Sequence, residues 1–503
     1  MKRIIILSTF LCAAATSFSA TYYFTRGLAA GENPLGDVYT RNWSDINNWS
    51  TVSDGDMNGA NKGYNHLAQL PSAVPNGKDV VVAVDVFSAQ NGAAALPASD
   101  DRLLNVDIEN LTLGAFNFDN TQSSINKLTG NAITFETTSG SGIVMTKYRP
   151  WNNSFVENDI ILKGSASTNS MGYRIVNNAG SDASGAGKNL YLNGNITADT
   201  SAMDMSTTGS WDFLNLVLDP TKNSVSASNV SNIYVNGTIN IGRCLNVSGS
   251  TVSSTSSQFG KVYIGGTESN NLTLKVSLIT AVLQKLNGAR AAGRIELFSQ
   301  GAVEFTTSDQ IPNGIYLQFS KPIATAVEGN PYSGSNIGGI VYMKNNSLSF
   351  GEINFRNDLY GTNVIASGVI GKIDFGVANP TEGRTFDFAS IVFLQSELTK
   401  GNMILSESGL LFVNFDAEKD KVTCVLDEFK YQDDEGWDQN GRIADQIWFD
   451  GYGERGVDYI VTSEYDGGLG RYVYGVELIP EASTCASFMG LIVLGLAIYR
   501  RRK

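Results

Sequence analysis

Histidine is nearly missing from this chain of 503 residues: the one present, His66, lies in a polar stretch with no GxSxG or Cys-His arrangement to accompany it. Nucleophile-and-base catalysis of the kinds that need an imidazole therefore has no visible machinery. Cysteine is scarce too. Of the four, Cys12 and Cys485 fall in the apolar ends, and Cys244 and Cys424 stand far from each other and from any CxxC spacing. That excludes zinc-ribbon and haem-attachment patterns and leaves two readings of Cys244 and Cys424, a single disulfide or two unrelated buried thiols. Proline is rare at 11 residues, and charged residues make up only 17%. Positive charge is the smaller share of these, 36 Lys and Arg against 49 Asp and Glu for a formal net of −13, which excludes nucleic acid as a partner. A phosphate-cradling loop is missing as well, since the Gly-rich stretch from Gly180 to Lys188 is followed by Asn189 where Ser or Thr would be needed.

What fills the chain instead is 42% hydrophobic residues and 52 glycines, too apolar for general disorder. The apolar residues come in short runs closed by Asn, Gly, Ser or Asp, such as Leu111-Thr112-Leu113-Gly114, Ile160-Ile161-Leu162-Lys163-Gly164 and Val262-Tyr263-Ile264-Gly265. Runs of this length with such endings read as strands and turns. Helical spacing is rare; Leu272 to Leu286 is the one internal candidate. Two segments align with each other: Asn189-Leu190-Tyr191-Leu192-Asn193-Gly194-Asn195-Ile196 and, 43 residues later, Asn232-Ile233-Tyr234-Val235-Asn236-Gly237-Thr238-Ile239. Lys261-Val262-Tyr263-Ile264 echoes them a further 29 residues on. Self-similarity of this kind marks a solenoid, in which each coil buries its apolar face only against the next. With coils of ~20 residues, the longer offset would span two of them. The expected fold is all-β, a right-handed parallel β-helix with a C-terminal transmembrane helix. Tandem β-sandwiches are the alternative, and they would require hairpins with tight turns.

The two ends organise the rest. Lys2 and Arg3 before the apolar run Ile4 to Ala15, with Ser17 and Ser19 ahead of Ala20, read as a secretory signal peptide over residues 1–19. An N-terminal β cap is expected over 20–102, a β-helix body over 103–413, and an acidic, aromatic β cap over 414–478, with 479–503 as the tail. From Asn414 to Glu477 there are 16 Asp and Glu against 6 Lys and Arg, and Arg471 to Leu478 alternates as a last strand. In the tail, Ala482 to Tyr499 is uncharged and is followed by Arg500, Arg501, Arg502 and Lys503. Eighteen helical residues reach about 27 Å, near the ~30 Å hydrocarbon core, and the cations would stay on the cytoplasmic side. Pro480-Glu481, a Ser/Thr spacer, a helix rich in small residues and a terminal Arg cluster resemble the PEP-CTERM sorting signal of bacterial exported proteins. The resemblance covers about the last 25 residues and departs from the commonest form at Ala482, where a second Pro is usual. It implies recognition by an exosortase-like membrane enzyme that cleaves near Pro480-Glu481 and passes the protein to the cell surface or exopolysaccharide matrix.

Near the other end, Asn42-Trp43-Ser44 and Asn48-Trp49-Ser50 precede Pro71, Pro75 and Asp79-Val80-Val81-Val82. This order resembles the opening of autotransporter-like β-helix proteins. The tryptophans read either as a cap on the open end of the stack or as a pair for stacking on sugar rings, a lectin-like site. Asp54, Asp56 and Asn58 with Gly59 match the first half of a calcium loop, but Asn65 stands where the bidentate acid is needed. Calcium is thus the one cofactor with any pattern. The acidic run Asp433, Asp434, Glu435, Asp438 fits no such frame. The function expected is that of an exported surface or matrix structural and adhesion protein rather than an enzyme, with exopolysaccharide or neighbouring cell-surface components as partners. The alternatives are a polysaccharide-degrading enzyme using a carboxylate pair in a groove and a lectin-like protein.

Overall fold

The computed structural model describes residues 20–24, 40–51, 71–83, 103–118, 126–147, 153–168, 171–177, 189–203, 215–220, 231–241, 244–248, 261–265, 294–298, 301–305, 315–321, 337–343, 347–357, 369–376, 383–395, 409–432, 437–480 and 482–501. The protein is nearly all β, with large parallel sheets compatible with a β-helix. Among the described residues one sheet has 12 strands in chain order, from Thr40–Asn42 to Ile447–Phe449, and every pair in it is parallel. The other has 21 strands among the described residues. Within it, Leu111–Phe118, Leu348–Asn357 and Thr385–Gln395 are long enough to pair through both their halves, so they join two side-by-side ladders at a corner. Antiparallel pairs occur beside the ends, between Thr21–Phe24 and Trp49–Ser50 and around the hairpin Tyr459–Asp466/Arg471–Leu478. Tandem sandwiches, whose sheets are antiparallel throughout, do not produce this pairing.

Parallel stacking converts alternation along each strand into columns across strands. Inward, Leu128, Val156, Leu192, Val235, Ile264 and Phe305 follow one another rung by rung, all fully buried. Across the core from them run Leu216, Leu245, Ile295, Leu317, Ile353 and Ile391. Each such side chain contributes about 1.5–3 kcal/mol relative to exposure, offsetting the entropy of ordering the chain.

The segments that match in sequence are successive rungs. Leu190, Tyr191 and Leu192 pair with Ile233, Tyr234 and Val235, and these pair with Val262, Tyr263 and Ile264. The offset of 43 residues is therefore one rung-to-rung step and not two. Steps vary because the connecting chain varies: the side-chain ladders that tie equivalent positions span 36, 43 and 29 residues in succession. In these ladders the Asn153 Oδ1 accepts the Asn189 N–H at 3.0 Å, the Asn189 Oδ1 accepts the Asn232 N–H at 3.1 Å, and the Asn232 Oδ1 accepts the Lys261 N–H at 2.9 Å. Asparagine thus recurs because it satisfies the backbone donor that a strand leaves unpaired at its start. At the next corner, glycine recurs for lack of room: a Cβ on Gly194 would lie 2.0 Å from the Asn158 carbonyl oxygen, and one on Gly237 2.0 Å from that of Gly194.

At the N-terminal end Trp43 and Trp49 are fully buried, with ring centroids 4.6 Å apart. Their indole N–H groups donate to the carbonyls of Pro75 and Trp43, each at 2.9 Å. Phe24 and Phe116 complete the cluster. Burial removes both rings from any sugar, which rules out sugar stacking on Trp43 and Trp49 and fits the capping reading.

The chain leaves the body along the strand Arg471–Leu478, passes Pro480 and forms the helix Ala482–Arg501, with Arg500 and Arg501 in the last turn where they complement the helix dipole. Among the described residues no helix is long and apolar enough to cross a membrane, so the expected transmembrane helix is not supported. Leu491, Val493 and Leu496 on this helix are nonetheless exposed, at 65%, 62% and 60%.

Candidate functional site: a cationic groove beside the C-terminal hairpin

The strands Thr385–Gln395 and Lys421–Cys424 pair in parallel, Thr385 with Lys421 and Asp387 with Thr423. Between these, Phe386, Phe388, Val422 and Cys424 point into the core. Alternation therefore places Thr385, Asp387, Lys421 and Thr423 together on the outer face. The hairpin strand Arg471–Leu478 pairs antiparallel with Lys421–Cys424, Tyr474 against Val422 and Tyr472 against Cys424. Its tip is fixed by Asp466, whose Oδ1 accepts the N–H groups of Gly468 and Leu469 at 2.8 and 3.1 Å, and by Gly470 at φ +64°. The tip brings Leu469 and Arg471 over the outer face and encloses an open groove of about 500 Å³, whose remaining wall is formed by Gly383 and Lys419.

Charge in this groove runs against that of the chain. Lys419, Lys421 and Arg471 face one carboxylate, Asp387. Asp387 is already engaged: Oδ1 accepts the Thr423 hydroxyl at 2.7 Å, and Oδ2 accepts the Ser349 hydroxyl at 3.1 Å and lies 3.5 Å from Arg471 Nη2. Lys419 lies 3.6 Å from Asp416 on a well-exposed turn, an arrangement of small energetic weight. Lys421 is exposed and makes no ion pair among the described residues.

The groove floor is held rigidly from beneath. Arg384, between the lining residues Gly383 and Thr385, is buried with Asp420; its Nε and Nη2 donate to the two carboxylate oxygens at 3.0 and 2.7 Å, and its Nη1 donates to the carbonyls of Met343 and Phe375. Burial alone would raise the Asp420 carboxyl, but the Arg384 hydrogen bonds outweigh it and hold this group below the usual carboxylate range. Chemically, the groove offers cations, the Thr385 hydroxyl and one apolar side chain. That set is complementary in charge to an anion.

A second feature lies on the outer face of the 12-stranded sheet. Phe155, Tyr191, Tyr234 and Tyr263 stack face to face with centroids 4.8, 4.6 and 4.4 Å apart, half-buried, one ring per rung. The facing sides of the rings cover one another, and the column stabilises the rungs. Burial pushes the Tyr263 hydroxyl well up. Farther along the same column Lys261 Nζ sits 3.4 Å from the Tyr342 ring centroid.

Comparison of the chain with protein-family models, with curated proteins and with solved structures finds no match. The sorting-signal and autotransporter-like resemblances rest on the residues that carry them.

Of the residues singled out in the sequence, Asp54, Asp56 and Asn58 lie outside the described residues, as do His66, Glu481, Arg502, the segment 272–286 and the acids at 433–435. Among the described residues no cluster of His, Cys, Asp or Glu could hold a metal. Pro480 is exposed before the helix, and Arg500 and Arg501 are exposed at its end. Cys244 and Cys424 are both buried and form no disulfide with each other, which settles the open choice in favour of separate thiols. Burial, the main cause, raises the Cys424 thiol to about 12. Cys244 Sγ accepts the Arg294 Nε–H at 3.4 Å, beside Glu296.

Proposed function

We propose that this chain is an exported structural and adhesion protein of the cell surface or extracellular matrix, built as a right-handed parallel β-helix and delivered through its C-terminal segment. Handedness follows from the strong right-handed preference of crossovers between parallel strands of one sheet. The observation that carries the reading is the C-terminal helix itself. It follows an exposed Pro480, ends in arginines, and holds Leu491, Val493 and Leu496 in solvent, so it requires an apolar partner that the β body does not supply. An exosortase-like sorting enzyme within the membrane is such a partner, and exopolysaccharide or neighbouring surface components would then meet the body. The outer faces suit a structural role: Asp159 Oδ1 accepts the Asn195 N–H at 2.8 Å and Asn195 Oδ1 the Thr238 N–H at 3.0 Å, so polar side chains are spent tying rung to rung. No catalytic role is assigned to Asp387, whose oxygens are both engaged.

The test is fractionation of the native host followed by intact-mass analysis. A species starting near Ala20 and ending close to Glu481, in the surface or matrix fraction, is the expected result. Protein found unprocessed in the cytoplasm overturns the reading.

A further inference from the structure

We propose that the groove between the outer face of Thr385–Asp387 and Lys421–Thr423 and the tip of the C-terminal hairpin binds the anionic groups of an acidic polysaccharide, carboxylate or sulfate. The assignment names a ligand class for the surface role proposed above and rests on that role for the encounter. Three cations converge there in a protein of net charge −13. The groove's own carboxylate does not neutralise them all. Asp387 is held by two hydroxyls and lies at 3.5 Å from Arg471, too long for a close charge-assisted bond, which leaves guanidinium donors facing the groove. Lys421 faces the groove with no partner among the described residues. An exposed cation without a counter-charge attracts an anion from outside.

The rest of the lining favours a sugar as the carrier of that anion. Thr385 stands beside the cations with a hydroxyl for exchange with ring hydroxyls, and Leu469, half-exposed on the hairpin tip, offers an apolar contact for the C–H face of a ring. The groove is open to solvent along the outer face, so a polymer can lie through it without threading an end. Its geometry is fixed before any ligand arrives, by the buried Arg384–Asp420 pair below and by the Asp466 turn above. Preorganisation of this kind lowers the entropic cost of binding.

The test uses the full-length protein and three probes: polygalacturonate for carboxylate, dextran sulfate for sulfate, and unmodified dextran as the neutral control. Titration calorimetry in low and high salt compares wild type with Lys421→Glu. The expected result is binding of at least one polyanion, weakened by salt, and weakened about tenfold by Lys421→Glu, with no binding of dextran. Which polyanion binds identifies carboxylate or sulfate, and binding of both means that charge alone selects. No polyanion binding, equal binding of dextran, or affinity unchanged by the substitution overturns the assignment. Circular dichroism checks the variant's fold, and Lys419→Glu, on a turn outside the strands, gives the same readout should Lys421→Glu misfold. Failure here with the protein found at the surface removes the groove's role and leaves the surface reading intact; polyanion binding by a protein found in the cytoplasm does the reverse.

Discussion

The glycine at position 237 carries the sharpest test of how the rungs stack. An alanine there would put its Cβ 2.0 Å from the carbonyl oxygen of Gly194, 2.4 Å from its carbon and 2.9 Å from the Asn195 nitrogen. All three are backbone atoms, so no side chain can swing aside. Relieving the contact requires the two rungs to separate locally by about 1.2 Å. Two backbone hydrogen bonds flank the point, from Asn236 N to Leu192 O and from Ile196 N to Thr238 O, both 2.8 Å. The separation would stretch them to about 4 Å, outside hydrogen-bonding range. Their loss costs about 1 kcal/mol each and residual overpacking ~1–3 kcal/mol more, offset by ~0.5 kcal/mol from the stiffer unfolded chain. Gly237→Ala is therefore expected to destabilise by roughly 2.5–4.5 kcal/mol. Urea titration followed by circular dichroism measures it, with Gly467→Ala as the control: a Cβ at Gly467 meets nothing within 4 Å. If the two variants unfold at the same urea concentration, the rungs do not stack in this register.

Other outcomes test separate parts of the structure. Tyr234→Ala removes two stacked ring contacts and should lower stability by about 1–3 kcal/mol in urea, whereas Tyr234→Phe should stay near wild type. Because the folded Asp420 carboxyl is depressed, its contribution is present above the unfolded value near ~3.9 and is lost as pH falls through the folded value. Asp420→Asn should thus be less stable than wild type at pH ~7, with the gap closing below about pH 4 in thermal melts. Arg384→Ala leaves that buried carboxylate without its partner and should cost about 3–5 kcal/mol. Cys244 and Cys424 should resist alkylation in the folded protein and react once urea unfolds it, as read by peptide mass; labelling of either under native conditions would contradict their burial.

Much of the β body is legible in the sequence because its columns repeat the same residue types. Asn189 and Asn232, Tyr191 and Tyr234, and Gly194 and Gly237 match since each pair occupies one position of the stack, as ladder, ring column and tight corner. The step length is not legible. A solenoid fixes what lies on a rung but leaves the linkers between rungs free, so an offset of 43 residues could be halved on paper though not in space. The tail illustrates a different limit: an uncharged run in sequence does not say what its apolar side chains meet, and Leu491, Val493 and Leu496 stand exposed. The groove was invisible for a third reason. Lys421 and Arg471 lie far apart in sequence, in a stretch dominated by acids, and an antiparallel hairpin brings them together. The one available hint was the rarity of cations there, which makes the convergence of three of them on one face informative.

The unequal steps between matching rungs bear on how such a gene can change. Side chains separated by 36, 43 and 29 residues hydrogen-bond in the same way, so the length between rungs varies without disturbing register. Insertions and deletions between rungs are then nearly neutral, while those within a rung shift every side chain to the wrong face. A duplicated rung would carry its own asparagine, tyrosine and glycine, ready to dock on its parent. Such a lineage can lengthen by unequal recombination and diversify its linkers, leaving recognisable similarity only in scattered short motifs.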